Sequence, residues 1–208
     1  MIIAVDGPAA SGKGTVARAL AKHYRLPHLD TGLLYRAVAE NVHRLDLDPT
    51  KEADAVAASN FDDSLLDDPV LRSDEAGQRA SIVSAHPLIR AALLQRQRKF
   101  AQQEGGAVLD GRDIGTVIAP DADVKLYVTA SVEARAQRRW KEMQARGASD
   151  TLAEIEEDLR RRDERDRTRA EAPLRAADDA VTLDTSELGP QQAIAAAIAA
   201  VESKLARD

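Results

Sequence analysis

The sequence contains no cysteine, which excludes disulfides and thiolate zinc sites. Aromatic residues make up only 3% of it, too few for the base-stacking platforms of single-strand nucleic-acid binders. Basic charge is not in excess: 29 Lys and Arg stand against 35 Asp and Glu, a formal net charge of −6, whereas duplex binding leaves a basic footprint. Long apolar runs are missing as well. No window approaches the roughly 18 uninterrupted apolar residues of a membrane span. The opening Ile2-Ile3-Ala4-Val5 is too short for a signal peptide and runs at once into a glycine-rich turn. These absences lead to an expected cytoplasmic protein with small-molecule partners, no nucleic acid and no membrane. With no long apolar surface stripe, a monomer is expected. His23, His28, His43 and His86 are scattered without ligand-like spacing, so no structural metal site is indicated.

At 208 residues and 44% hydrophobic content, the chain can bury one good core. Short apolar runs recur between helical stretches: Ile2 to Val5, Leu26 to Leu29, Ala107 to Leu109, Val124 to Val128 and Ala180 to Leu183. That alternation predicts an α/β fold, a doubly wound parallel sheet of about five strands with helices on both faces. Helical spacing places Val16 and Leu20 on one apolar face, and Ile194, Ile198, Val201 and Leu205 on another. Pro87 marks a helix start.

Two stretches fit the sheet poorly. Residues 50–80 are acidic and broken by Asp62-Asp63, Asp67-Asp68-Pro69 and Gly77, and are expected to form a small lobe beside the core. Residues 131–170 are heavily charged and helical, interrupted near Gly147, with too few apolar positions to belong wholly to a core. They are expected to form a mobile helical hairpin, or lid. A single domain follows, with its core in 1–49, 81–130 and 171–208.

The first strand runs directly into Gly7-Pro8-Ala9-Ala10-Ser11-Gly12-Lys13-Gly14-Thr15 and then a helix. This is the strand, loop, helix context that a phosphate-binding loop requires. Gly7 and Gly12 let successive N–H groups converge on phosphates, the helix adds its positive end, and Lys13 places a cation beside the transferring group. Gly14 stands where many such loops have Ser or Thr, and the hydroxyl follows at Thr15. Thr15 is therefore the candidate for contact with magnesium or its water shell. The Gly-Lys-Gly-Thr form resembles the loop of nucleoside monophosphate kinases. Asp110, closing a predicted strand, is placed to orient magnesium waters or a nearby arginine, or else is a strand-end turn residue.

Transfer between phosphates needs two anions brought together with water excluded, so arginines should converge. Arg36, Arg112 and the segment carrying Arg162, Asp166 and Arg169 supply them. The last three fall at i, i+4 and i+7 on one helical face. That spacing equally fits a solvated helix with its own ion pairs. Arg135, Arg138 and Arg139 also share a face, with Glu133 and Glu142 interleaved, so a surface ion-pair network fits them as well.

The glycine loop, Asp30-Thr31-Gly32-Leu33-Leu34-Tyr35-Arg36, Asp110-Gly111-Arg112-Asp113-Ile114-Gly115-Thr116-Val117 and Arg162-Asp163-Glu164-Arg165-Asp166-Arg167-Thr168-Arg169 together resemble the bacterial cytidylate kinases, nearly end to end. The resemblance implies transfer of phosphate from ATP, with magnesium, to CMP or dCMP. It implies that Gly7 to Thr15 bind ATP, with Arg138 and Arg139 of the lid reaching the donor phosphates. Lys13, Arg112, Arg169 and Asp110 become the expected catalytic set. Thr31, Arg36, Ser81, Arg90, Arg112, Asp113, Arg162, Asp166 and Arg169 become the expected acceptor set. Within it Arg36, Arg112 and Arg169 hold the phosphate, Arg162 and Asp166 the ribose, and Ser81, Arg90 and Asp113 the cytosine. The chemistry agrees with Asp113 in that role, because a carboxylate accepts from cytosine's exocyclic amine and faces a carbonyl oxygen in uracil. The family's inserted lobe is shorter here, around 55–80. Kinases of another small acceptor, such as UMP or a metabolite, and a non-catalytic nucleotide- or RNA-binding protein are the rival readings.

Overall fold

The computed structural model describes residues 1–145 and 147–206. At its centre lie five parallel strands, β1 (Ile2–Asp6), β2 (His28–Asp30), β3 (Ala107–Gly111), β4 (Val124–Thr129) and β5 (Val181–Asp184), in the order β2-β3-β1-β4-β5. Each of the five apolar runs holds one strand. β2 starts at His28 instead of Leu26, because Pro27 has no N–H for a ladder and offers only its carbonyl, which accepts from Val108 N at 2.9 Å.

Strand alternation sends successive β1 side chains to opposite faces. Ile3 and Val5, with Val108 and Leu126, meet Val16 and Leu20 of α1 (Lys13–Tyr24) and the apolar face of α8 (Pro190–Leu205). Ala4 and Leu109 meet α5 (Pro87–Ala101) and a short π turn, Ile114–Ile118, on the other side. On α8 the buried stripe is Ala193, Ala197 and Val201, while Leu205 is 39% exposed. The expected stripe of Ile194, Ile198, Val201 and Leu205 thus holds at Val201, while Ala193 and Ala197 take the central line one position before Ile194 and Ile198. Alanines take the central line because they let the helix lie close to α1 and the sheet, and Ile198 packs from the side.

The same alternation sets up the site. Asp110 is in register with both Val5 and Asp30, so the two aspartates share the α1 face. Asp6, in register with Gly111, projects to the other face, where its carboxylate accepts from the backbone N–H groups of Ile114 and Gly115, both at 2.8 Å. Burial pushes Asp6 up to about 7, against the pull of those two N–H donors.

Beyond β2, α2 (Thr31–Arg44) packs with α3 (Glu52–Ala57), α4 (Asp74–Val83) and α5 around Leu34, Val38, Ala55, Ala80, Val83, Ile89 and Leu93. The acidic stretch folds here. Asp62, Asp68 and Ser73 accept from backbone N–H groups to start two 3₁₀ turns, Asp63–Asp67 and Pro69–Arg72, and then α4. α4 continues past residue 80 to Val83, so Ser81 rides on a helix of this acidic stretch.

α6 (Val132–Gln144) and α7 (Leu152–Thr168) form a hairpin, α7 opening on a Thr151/Glu154 capping box. Its apolar cluster is small: Ala136, Ile155 and Leu159 against Ala9. A buried ion pair supplements it. Arg135 is 2% exposed and donates two bonds to Asp163, at 3.1 and 2.6 Å, and others to the carbonyls of Ala130 and Ala9, at 3.0 and 3.2 Å. Arg135 is therefore no part of a surface network; it ties both helices to the loop after β1. No helix among the described residues is long and apolar enough to cross a membrane.

Candidate active site

β1 delivers the chain into the glycine loop at the centre of the sheet. A Cβ at Gly7 would lie 2.0 Å from the carbonyl oxygen of Val128, so any side chain there would push the loop off β4. Positive φ at Ala10 (59°) and Gly12 (86°) curls the backbone into an anion-binding concavity. Ala10 to Thr15 line a cleft of about 370 Å³, with Val16, Arg138, Arg139, Thr185, Leu188, Pro190 and Ala193. Gly7, Pro8 and Ala9 stand behind that wall. Gly7 lies against Val128, the Pro8 carbonyl accepts from Lys13 Nζ at 3.5 Å, and Ala9 packs into the hairpin. Ser11 is buried with its hydroxyl unpartnered among the described residues, and Thr15 is exposed in the cleft.

The two hairpin arginines are both engaged. Arg138 donates to Thr185 Oγ1 at 3.1 Å and to the carbonyls of Thr185, Ser186 and Leu188. The Thr185 hydroxyl donates in turn to the Ser11 carbonyl at 2.9 Å, coupling α6, the exit of β5 and the loop. Arg139 pairs with Asp74 of α4 and with Glu142.

A second cleft, of about 640 Å³, opens beside the first. It brings together Thr31, Arg36, Ser81, Arg90, Arg112, Asp113, Arg162, Asp166 and Arg169, with Lys13 and Asp110. Eight arginines and Lys13 line it against four aspartates, a local cationic excess in a protein of net charge −6. Such an excess is bought at the cost of self-repulsion and marks an anion site. The two clefts share Lys13, Gly14, Arg18 and Arg139.

Within this cleft the polar groups brace one another. Arg112 Nε donates to Asp166 at 2.8 Å. Burial alone would raise Asp166, but Arg112 and Arg162 outweigh it and hold the carboxyl below its usual range. Arg162 is pulled well down by burial and by Arg112, and its Nε has no hydrogen-bond partner among the described residues. Arg169 sits just past the end of α7, as its C-cap, so the expected i+7 position lies outside the helix; its Nε donates to the Ala172 carbonyl at 2.7 Å. Asp113, 4% exposed, accepts from Arg90, with Arg169 Nη2 3.7 Å away. Arg90 also lies over the Tyr35 ring, 5.6 Å from its centroid. Ser81 is 5% exposed and its hydroxyl is unpartnered among the described residues. Arg36 donates to the carbonyls of Leu71 and Ser73, at 2.7 and 2.9 Å.

Where the clefts meet, burial lowers Lys13 to about 7, helped by Arg112 and resisted by Asp110 and Asp30. The Asp110 carboxylate lies 2.7 Å from His28 Nε2, and the Asp110 carbonyl accepts from Thr31 Oγ1 at 2.9 Å. Asp30 caps α2 through Gly32 N and is raised by burial and by the charge of Asp110.

Sequence reasoning left out Asp30, His28, Arg18 and Thr185. His28 and Asp30 were findable, since residues two apart on a strand share a face and Asp30 was already in view. Nothing local marks Thr185, which acquires its partners only when β5 docks beside β4.

The family model described as Cytidylate kinase matches residues 3–203. A cytidylate kinase of Cereibacter sphaeroides is 57% identical over 208 residues, covering 99% of this chain and 97% of its own. One from Xanthobacter autotrophicus is 56% identical over 206 residues, covering 99% of both. Among solved structures, TT1252 from Thermus thermophilus superposes with a TM-score of 0.50 at 22% identity, covering 99% of this chain and 97% of its own. An uncharacterized protein from Eubacterium ventriosum gives 0.57 at 16% identity, covering 98% and 99%. These two bear on the fold alone.

Proposed function

The chain belongs to the cytidylate kinase family, and from that premise we propose that it transfers the terminal phosphoryl group of ATP to CMP and dCMP, giving CDP and dCDP. The observation that carries this is the junction of two clefts at Lys13, one walled by the phosphate loop and the other lined by cations in excess.

The donor's phosphates lie against the loop from Ala10 to Thr15, and the apolar wall of Leu188, Pro190 and Ala193 covers its base. Arg36, Arg112 and Arg169 hold the acceptor's phosphate, Arg162 and Asp166 its ribose, and Ser81, Arg90 and Asp113 its base. The acceptor oxygen is already anionic, so no general base is needed. Catalysis is positioning plus charge stabilisation by Lys13, Arg112 and Arg169. Approach of the α6–α7 hairpin and the 50–80 lobe excludes water and suppresses ATP hydrolysis. Arg138 and Arg139 move with the hairpin on the donor side.

Magnesium fits the residues present. Asp30 and Asp110 are neighbours across β2 and β3 on the α1 face, Thr15 offers a hydroxyl in the donor cleft, and all are hard oxygen donors. Among the described residues no group of three or more His, Asp or Glu could cage an ion unaided, which suits an ion that arrives with the nucleotide. Bound there, it would neutralise phosphate charge. The protein is further proposed to act as a monomer in the cytoplasm.

The test is a coupled ADP-release assay with ATP and magnesium, offering CMP, dCMP, UMP, AMP or no acceptor to wild type and Asp113→Ala. Fast turnover of CMP that collapses in the variant is expected. UMP or AMP preferred over CMP would overturn the substrate, and no acceptor-dependent turnover would overturn the kinase reading.

A further inference from the structure

Of the four residues that line both clefts, Arg139 is held by Asp74 and Glu142, and Lys13 lies beneath the loop with its ammonium against the Pro8 carbonyl. Arg18 is different. It is exposed on α1, and among the described residues no carboxylate lies within ion-pair distance of it. α1 contains no Asp or Glu at all, so the neutralisation that a surface arginine usually finds one turn away is not available. Its Nη1 lies 3.5 Å from the point a Cβ of Gly14 would occupy, and Asp110 Oδ2 lies 3.6 Å from the same point. The side chain therefore folds back toward the N-terminal end of α1, the direction helical side chains take. Its guanidinium stands over the first turn, at the seam between the clefts.

Bringing a donor and an acceptor phosphate together concentrates like charge at that seam, and it is there that charge shifts during transfer. A guanidinium suits the position. Its planar fork of donors can reach oxygens of two phosphates at once, which an ammonium does less well. We infer that Arg18 is a further catalytic residue of this enzyme, a cation that contacts the phosphates of both nucleotides when the two clefts are filled. This rests on the kinase reading given above.

Arg18→Ala, Arg18→Lys and wild type are compared in steady-state kinetics with both nucleotides varied. In parallel, calorimetry measures ATP, CMP and a bisubstrate probe in which adenosine and cytidine are joined through a pentaphosphate. The expected result for Arg18→Ala is a kcat lower by about tenfold or more and a loss of about the same size on the joined probe, as for removal of a charged hydrogen bond. ATP alone and CMP alone should each change less. Arg18→Lys should recover part of the loss. Melting temperature should not fall, because the residue is exposed and alanine favours the helix. A kcat and joined-probe affinity within about twofold of wild type, or a loss confined to a single nucleotide, overturns the inference. Wild-type turnover of CMP is the control: its absence brings down the kinase reading itself before any variant is compared.

Discussion

Arg112 and Asp166 meet across the larger cleft, Nε to Oδ2 at 2.8 Å, and so fix the end of β3 to the last turns of α7. The side chains are 16% and 6% exposed, and the carboxylate is held ionised by two guanidinium groups despite its burial. The bond aims Arg112 before any ligand arrives, which is the preorganisation that charge-stabilising catalysis needs. It also couples the hairpin to the sheet.

Replacing Asp166 by Asn removes the charge while nearly keeping the shape. Arg112 and Arg162 then repel each other without a counter-charge, and Arg112 loses the charged bond that sets its direction. Turnover of CMP is expected to fall by about tenfold to a hundredfold, the range for a charged hydrogen bond. Stability in urea should fall by roughly 1–3 kcal/mol, below the figure for a wholly buried pair because Arg112 can turn toward cleft water. Unchanged kcat/KM in steady-state assays would remove Arg112 from the catalytic set.

Gly77 lies on α4 against Arg36: a Cβ added there would sit 2.9 Å from Nη2 and 3.3 Å from Cζ. The guanidinium has little freedom to retreat, since Nη1 is held by the carbonyls of Leu71 and Ser73. Gly77→Ala should therefore separate stability from binding. Helix propensity favours alanine by about 1 kcal/mol, so the melting temperature should hold or rise, while the KM for CMP increases by about tenfold as Arg36 is displaced. Arg36→Lys in the same background should relieve the crowding. A variant that loses stability and keeps its KM would show that the contact does not constrain Arg36.

How much of this was legible beforehand differs by level. The five strands and the loop context followed from apolar runs bounded by turn residues: β1, β3 and β4 are buried and read as near-continuous apolar runs, while the edge strands β2 and β5 are half-buried or exposed and were marked by short runs. Most of the proposed acceptor residues became legible only through four motifs taken together, and Ser81 and Arg90 only through the family register around Pro87; spacing could not tell a nucleotide grip on Arg162 and Asp166 from surface pairs. Arg135 shows why. Its neighbours in sequence are the acids of a solvated face, and only the return of α7 brings Asp163 over it and buries both. The α8 stripe was partly misplaced for a related reason: hydrophobicity ranks isoleucine above alanine, but close helix packing selects the smaller side chain.

Lys13 gives a pH prediction whose sign is fixed. Burial brings it from the usual 10.5 to about 7 in the empty site, and adjacent phosphate oxygens should raise it again. Across roughly pH 7 to 9, donor binding then takes up a proton, and affinity weakens as pH rises through that window. Calorimetry at pH 8 in buffers of different ionisation enthalpy reads the uptake, with Lys13→Met as the control for the nucleotide's own protons. Because the unfolded chain binds the extra proton between 7 and 10.5, Lys13→Met should also stabilise the empty protein most at neutral pH and progressively less as pH rises. Equal proton uptake in both proteins would refute the depressed value.

The Arg135–Asp163 pair separates architecture from function. Removing one partner alone leaves a buried charge uncompensated, at a cost of about 3–5 kcal/mol, whereas replacing both by apolar residues of similar volume is often near neutral. Arg135→Met and Asp163→Leu should therefore each destabilise strongly, and the double variant should recover most of the loss. Arg135 makes a further bond that the double variant cannot restore, its donation to the Ala9 carbonyl in the phosphate loop at 3.2 Å. If that bond positions the loop, the recovered double variant still shows a raised KM for ATP, by about threefold to tenfold, below the range for a charged hydrogen bond because the bond acts on the loop and not on ATP itself, with the KM for CMP close to wild type. Urea titration of all four proteins, followed by kinetics on the stable ones, distinguishes the two roles: full recovery of both stability and ATP KM would make the pair purely architectural.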